Sequence, residues 1–407
     1  MTQRTTAVLP SVCAVLLLFA ANLAAQTTVI YQPTPYPASM TNGIHILDDW
    51  FSSSYENDFQ KDDKLQIGGW MDNYNTYIQF DTEGLPANVS SAQLRLYAYP
   101  RGDKSTLVNF DVWSPNTTWA PNLSTTMDWD SQPSSFAFVG SYSAGQVNNF
   151  WNINITSLYN GWRSTPSSNR GLALMSWTQN NNFDVWRSSR YMTNITERPA
   201  LRLTFTPPVG MPNFKMPLPG GASWLLTTEI GGYECKPGQY NPDSTHQGDN
   251  YFTLDFSAEN TKDGGGSYSS PIPVLAASGG TVKSVGSGTT TGYYIILDHG
   301  NGYLTRYLHF DHPAARKNGT YLTQGDYVNQ GDQIGIMGGS GTSTGTHLHM
   351  NFWHNATFKG ASTVTNLSYV VMDGLLLKSY QTECSTSSSG EIVRIRKYHS
   401  TNTPTGI

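Results

Sequence analysis

Apolar residues in this chain come in strand-length runs, each closed by a turn residue before it reaches the length of a helix. Upstream these runs are Thr28-Val29-Ile30-Tyr31, Thr76-Tyr77-Ile78-Gln79-Phe80, Ala92 through Tyr99, Asn109 through Trp113, Gly171 through Met175 and Ala200 through Phe205. Downstream, Tyr293 through Leu297 enters the turn Asp298-His299-Gly300-Asn301-Gly302 and returns as Tyr303 through His309, a hairpin marked by its Asn-Gly pair. A single helix-like turn, Ile155 through Trp162, interrupts the series. The pattern predicts a mainly β protein, with an N-terminal antiparallel β-sandwich and a second β-rich domain. At 407 residues the chain exceeds what one ordinary core organises.

The break between the two falls at Thr206-Pro207-Pro208-Val209-Gly210-Met211-Pro212, which mixes proline and glycine without periodicity. The expected organisation is a signal peptide at 1–25, a sandwich at 26–207, a linker at 208–220, a second domain at 221–384 and a tail at 385–407. The signal is read from Arg4, the apolar run Val12 through Ala20 and the small residues Ala24-Ala25. That run is shorter than the roughly 20 residues of a membrane span, so no span is expected after cleavage and the mature chain is expected to be secreted or periplasmic. Cys13 leaves with the signal. Cys235 and Cys384 then remain as an even pair in an oxidising compartment, which predicts a disulfide. With Lys+Arg 24 against Asp+Glu 29, the chain lacks the basic stripe of a nucleic-acid binder.

Chemistry-bearing residues concentrate downstream of the linker: His246, Asp249, Asp255, His299, His309, His312, His347 and His349. A glycine-rich turn from Gly338 feeds the run His347-Leu348-His349-Met350-Asn351-Phe352. One intervening residue puts both imidazoles on the same face of a strand, a geometry that suits a metal. The same spacing also suits a strand that buries Thr346, Leu348 and Met350 and turns its histidines to water. His309 ends the strand in which Tyr303, Thr305 and Tyr307 share its parity, and there it can reach a groove. His299 reads as a structural or solvated turn residue, and His312 and His354 as loop residues. The upstream half offers one histidine, His45. Its acidic cluster Glu56-Asn57-Asp58 with Asp62-Asp63 reads as a solvated loop, and its tryptophans as packing rather than a sugar-stacking platform.

Two resemblances follow from ordered motifs. Tyr77 through Asp81, Leu85-Pro86, Ser91 through Tyr97, Asp128 through Pro133, Asn152 through Thr156, Asn169 through Leu174 and Arg198 through Leu201 resemble the DNRLRE, or disaggregatase-related, β-sandwich module. That resemblance implies a polysaccharide or cell-wall ligand. Pro271 through Val282, Leu297 through Tyr303, Tyr307-Leu308-His309, Val328 through Gly335 and Gly338 through Phe352 resemble the lysostaphin-type zinc endopeptidases, secreted enzymes that cut bacterial wall peptides.

The second resemblance implies a Zn²⁺ cofactor, a peptidoglycan peptide substrate, His349 as a metal ligand and His309 and His347 as catalytic residues. It also implies a histidine and an aspartate ligand upstream, for which His246 and Asp255 are the expectation. Here the chain departs from the pattern. The family sets its histidine four residues before the aspartate, where this chain has Tyr251; His246 lies nine before. An alternative takes His246 with Asp249 and leaves Asp255 as a supporting partner. The competing functional reading is a non-catalytic wall or polysaccharide binder on a peptidase-like scaffold.

Overall fold

The structure is a computed structural model that describes residues 25–34, 46–54, 62–99, 108–119, 129–176, 182–232, 234, 244–355, 367–386 and 392–405. The signal peptide, the Cys235–Cys384 pairing and the Glu56–Asp58 cluster lie outside the described residues. Among the described residues, no helix is long and apolar enough to cross a membrane.

Upstream, eleven described strands pair antiparallel in one curled sheet, the expected sandwich. The alternation read from Ala92 through Tyr99 holds: in strand Ser91–Ala98 every second side chain is buried. Leu94 and Leu96 face a core completed by Tyr31, Ile67, Leu201 and Leu203. Trp119, Trp151, Trp162 and Trp186 are buried, which puts these rings to packing, whereas Trp70 is 47% exposed. The expected helix is Thr156–Ser164; its N-cap position is Ile155, which offers no side-chain cap, and the Asn154 side chain just ahead of it accepts from the Thr156 N–H.

Downstream, eight strands form a second antiparallel sheet. In spatial order they are Tyr327–Val328, Gly280–Gly288, Gly292–Asp298, Tyr303–Phe310, His347–His354, Thr253–Lys262, Ala222–Thr228 and Lys397–Ser400. One face carries a core of Trp224, Phe256, Tyr307, Leu348 and Met350. Two segments that the sequence assigns to connections contribute to this domain. Phe214, Met216 and Leu218, from the expected linker, are buried in its core. Residues 397–400, from the expected tail, pair with 222–225 and form the sheet's edge. Both follow from hydrophobic burial, which Pro-rich spacing does not report.

The two halves meet through residues 369–383. Leu376 joins the sandwich core, the Tyr369 hydroxyl donates to the Ala87 carbonyl, and Gln381 hydrogen-bonds Thr34 and Tyr31. Two ion pairs cross the same junction: the buried Arg198–Glu383 at 3.0 Å, and Lys378–Asp81 at 2.7 Å, in which the lysine is buried and the aspartate partly exposed.

Candidate active site

Strand His347–His354 runs between Tyr303–Phe310 and Thr253–Lys262. The register places His349 opposite Leu308 on one side and opposite Asp255 on the other. Strand periodicity then sorts the side chains: Leu348 and Met350 fill the core, and His347 and His349 occupy the opposite face. They line an open cleft of about 620 Å³ together with Asp255, Arg306, Leu308 and His309. The buried-face alternative for this strand and the metal-site geometry therefore coexist on its two sides.

His246 arrives from the short 3-10 turn Ser244–His246 and is completely buried. Its Nδ1 lies 3.2 Å from the Thr253 carbonyl, which fixes Nδ1–H as donor and turns Nε2 toward Asp255 Oδ2 at 3.1 Å. On the other side, His349 Nδ1 is 3.0 Å from Asp255 Oδ1. That contact lacks hydrogen-bond alignment, and Oδ1 is buried without a hydrogen-bond partner. Burial raises the Asp255 carboxyl, but His349 and His246 outweigh it and hold it well below the ordinary carboxylate range. Burial is also the main force that lowers the His349 pKa, partly offset by Asp255. His246, Asp255 and His349 thus bring two nitrogen donors and one carboxylate oxygen within 4.8 Å of one another. Asp249 is exposed and stays outside this group, and its backbone carbonyl accepts from Trp353 Nε1.

The nine-residue interval between His246 and Asp255 closes in space because the intervening chain makes a second 3-10 turn, Gly248–Asn250. Thr253 pins the arrangement, donating from Oγ1 to the Asn250 carbonyl at 2.6 Å. Sequence reasoning passed over Thr253. Its only signal is that it shares Asp255's parity on the strand.

His309 departs from the alternation expected of its strand. Tyr303, Thr305 and Tyr307 point into the core as their parity requires, but His309 has φ of +66° and lines the cleft instead. A left-handed conformation in a non-glycine residue re-aims the side chain, and the surrounding structure must hold it there. Its N–H donates to the Thr291 carbonyl, and its Nδ1–H donates to the Ser340 carbonyl at 2.8 Å. The glycine-rich run supplies that carbonyl. At Gly338 a Cβ would fall 2.3 Å from the Asp311 nitrogen, so the run lies flat against the end of His309's strand; Gly341 has φ of +79° beside Gly292.

His347 is partly exposed, with Nδ1 2.9 Å from the Gly345 carbonyl. The His309 and His347 rings stand 4.8 Å apart, and His309 and His349 5.8 Å. Burial, with smaller contributions from His347 and His349, lowers the His309 pKa to about 4, so this imidazole is neutral near pH 7. With Nδ1–H committed to carbonyls, both His309 and His347 present Nε2 as a proton acceptor. His299 lies away from the cleft and holds the hairpin, contacting the Gly279 carbonyl and Thr305.

The donor set suits a zinc ion: two imidazoles and a carboxylate at one buried point, with the Asp255 Oδ1 lone pairs unsatisfied by any hydrogen bond. It lies beside an open cleft rather than in a closed cage, as a catalytic site does.

Comparison with known proteins agrees with this architecture. The model of peptidase family M23 matches residues 263–360, and that of carbohydrate-binding module family 96 matches residues 46–204. The downstream half therefore carries an M23 domain and the upstream half a family 96 module. The M23 match includes His309, His347 and His349 and begins after His246 and Asp255. Peptidoglycan DD-endopeptidase ShyC of Vibrio cholerae is 35% identical over 102 residues, covering 25% of this chain and 22% of that protein. ShyA of the same organism is 36% identical over 87 residues, covering 21% and 19%. The chain thus spans about a fifth of the length of these curated relatives. A zinc-containing peptidase of Vibrio cholerae superposes with a TM-score of 0.26 at 23% identity, covering 35% of this chain and 37% of that one, a likeness too partial to carry weight.

Proposed function

We propose that this chain, an M23 domain joined to a carbohydrate-binding module, is a secreted zinc metalloendopeptidase that hydrolyses the peptide cross-links of bacterial peptidoglycan. The observation that carries the reading is the meeting of His246, Asp255 and His349 at one buried point beside two imidazoles that open onto a cleft. His246 Nε2, Asp255 and His349 Nδ1 would hold the metal. Zinc there supplies a Lewis acid and the means to ionise water near neutrality.

His309 and His347 carry the proton chemistry. Their Nδ1–H groups are fixed by the Ser340 and Gly345 carbonyls, so each keeps Nε2 toward the cleft without reorganising during the reaction. A neutral imidazole there accepts the proton of the attacking water. The resulting imidazolium returns that one proton to the leaving amine nitrogen as the C–N bond breaks, and the second imidazole stays hydrogen-bonded at the reacting oxygens. General acid-base help of this kind is worth roughly 10²- to 10⁴-fold. Leu308 and the buried sheet beneath the cleft limit water on one side.

The upstream module would hold the enzyme to wall polysaccharide, and the junction through residues 369–383 fixes its position relative to the cleft. The non-catalytic reading drew on the long His246–Asp255 interval, which closes to 3.1 Å, so no observation favours it. Bound zinc and lysis of purified walls, measured for the wild type, His349→Ala and His309→Ala, test the proposal. His349→Ala is expected to lose metal and lysis; His309→Ala keeps metal and loses lysis. Full lysis by both variants would overturn it.

A further inference from the structure

Arg306 lines the cleft, with no carboxylate among the described residues to balance it. It sits opposite Asn351 in the sheet, one inward-facing position before the Leu308–His349 row, and so about 7 Å along the strand from the metal-site histidine. Its Nε donates to Asn351 Oδ1 at 2.8 Å and one terminal nitrogen, Nη2, to Asn250 Oδ1 at 3.3 Å. Both acceptors are neutral amides. The guanidinium lies 4.6 Å from the Trp353 ring, against an apolar patch of Ile296, Leu304 and Trp353. Among the described residues, Nη1 has no hydrogen-bond partner and no carboxylate lies within 4.0 Å of the group.

The contrast within the cleft is direct. Arg394, the other arginine lining it, pairs with Glu234 at 3.4 Å. Burial draws Arg306 down to about 10, still fully charged at neutral pH. Arg306 is half-buried, so its charge is partly desolvated without a carboxylate beside it among the described residues, and a guanidinium fixed at Nε and Nη2 keeps a planar edge for an anion. Asn351 is completely buried and its amide also reaches Asn250, so the guanidinium is oriented before any ligand arrives.

We infer that Arg306 is a specificity residue that receives a free carboxylate of the substrate peptide close to the scissile bond, restricting the cleft to anionic peptides. This rests on the peptidase reading above and names the substrate chemistry of the same cleft. The carboxylate would displace water from Nη1 and form a charge-assisted hydrogen bond, the stronger for the apolar surroundings.

The test uses a cross-linked muropeptide dimer and the same dimer with its carboxylates converted to carboxamides. Binding is measured by calorimetry on the zinc-loaded full chain carrying His347→Ala, so that turnover does not intrude, with Arg306 intact, Arg306→Gln or Arg306→Lys. The native dimer is expected to bind at least about tenfold more tightly than the amidated one when Arg306 is present. Arg306→Gln should bind both alike at the weaker affinity with its zinc content unchanged, and Arg306→Lys should recover part of the preference. Equal binding of the two dimers to the chain with Arg306, or a preference that survives Arg306→Gln, would overturn the inference. Cleavage of the native dimer by the zinc-loaded wild type is scored separately. Its absence would remove the peptidase reading while the binding comparison still decides the role of Arg306.

Discussion

Asp255 and His349 face each other across two neighbouring strands, Oδ1 to Nδ1 at 3.0 Å, yet the pair is not aligned as a hydrogen bond. Two lone-pair donors held this close in a buried place are what the proposed zinc site calls for. Replacing the carboxylate by its neutral isostere separates that explanation from a structural one.

For Asp255→Asn, zinc affinity is expected to fall by more than the 10- to 100-fold typical of losing a mere supporting partner. In chelator the same variant should melt no lower than the wild type, because the new amide can donate to His349 Nδ1. Zinc titration calorimetry and thermal melts in chelator check both halves. A loss of apo stability with zinc affinity intact would contradict this assignment.

The zinc-free chain should weaken in acid through His309. Its folded pKa of about 4 lies below the ordinary 6.5, so the imidazole is neutral in the fold and protonated first in the unfolded chain. Its contribution is fully present above pH 6.5 and is lost as pH falls through 4, amounting to at most about 3 kcal/mol. Urea unfolding at pH 7 and pH 4.5 is expected to show a smaller acid loss for His309→Ala than for the wild type.

Gly341→Ala should damage catalysis without removing a catalytic group. The backbone there has φ of +79°, and an added Cβ would meet the Gly292 nitrogen at 2.3 Å. Left-handed strain alone is worth about 1 kcal/mol, and the backbone clash forces the run to move. Because the neighbouring Ser340 carbonyl fixes His309 Nδ1, wall lysis is expected to drop at least about tenfold while zinc remains bound.

The junction between the halves makes a different prediction. Lys378 is 2% exposed and paired with the partly exposed Asp81, which together with burial sets its state: burial lowers its pKa, and Asp81 outweighs this and holds it well above the ordinary range. Asp81→Asn leaves a buried cation unpaired and should destabilise the chain by about 3 kcal/mol. Lys378→Met removes the charge instead, lets Asp81 face water and should be much milder. Chemical unfolding of the two variants side by side measures the asymmetry.

How far the sequence reaches depends on the range of the interaction involved. The shared face of His347 and His349, the Asn301-Gly302 hairpin and the alternation of Ser91 through Ala98 are local consequences of strand period and turn chemistry, and they were legible as written. The linker and tail were read less well, because Phe214, Met216 and the strand at 397–400 are recruited by a core assembled from distant segments.

Sequence alone therefore determined a two-part β protein, its family resemblances and the strand that presents two imidazoles to one side. Tertiary structure decided the rest of the site. Strand register brought Asp255 opposite His349, two 3-10 turns folded the nine-residue interval so that His246 reached the same point, and a positive φ turned His309 out of the core face. It also left Arg306 in the cleft with only amide acceptors among the described residues. None of these is a property of neighbouring residues. Each depends on which distant strands pair and in what register, and that is settled only when the whole sheet closes.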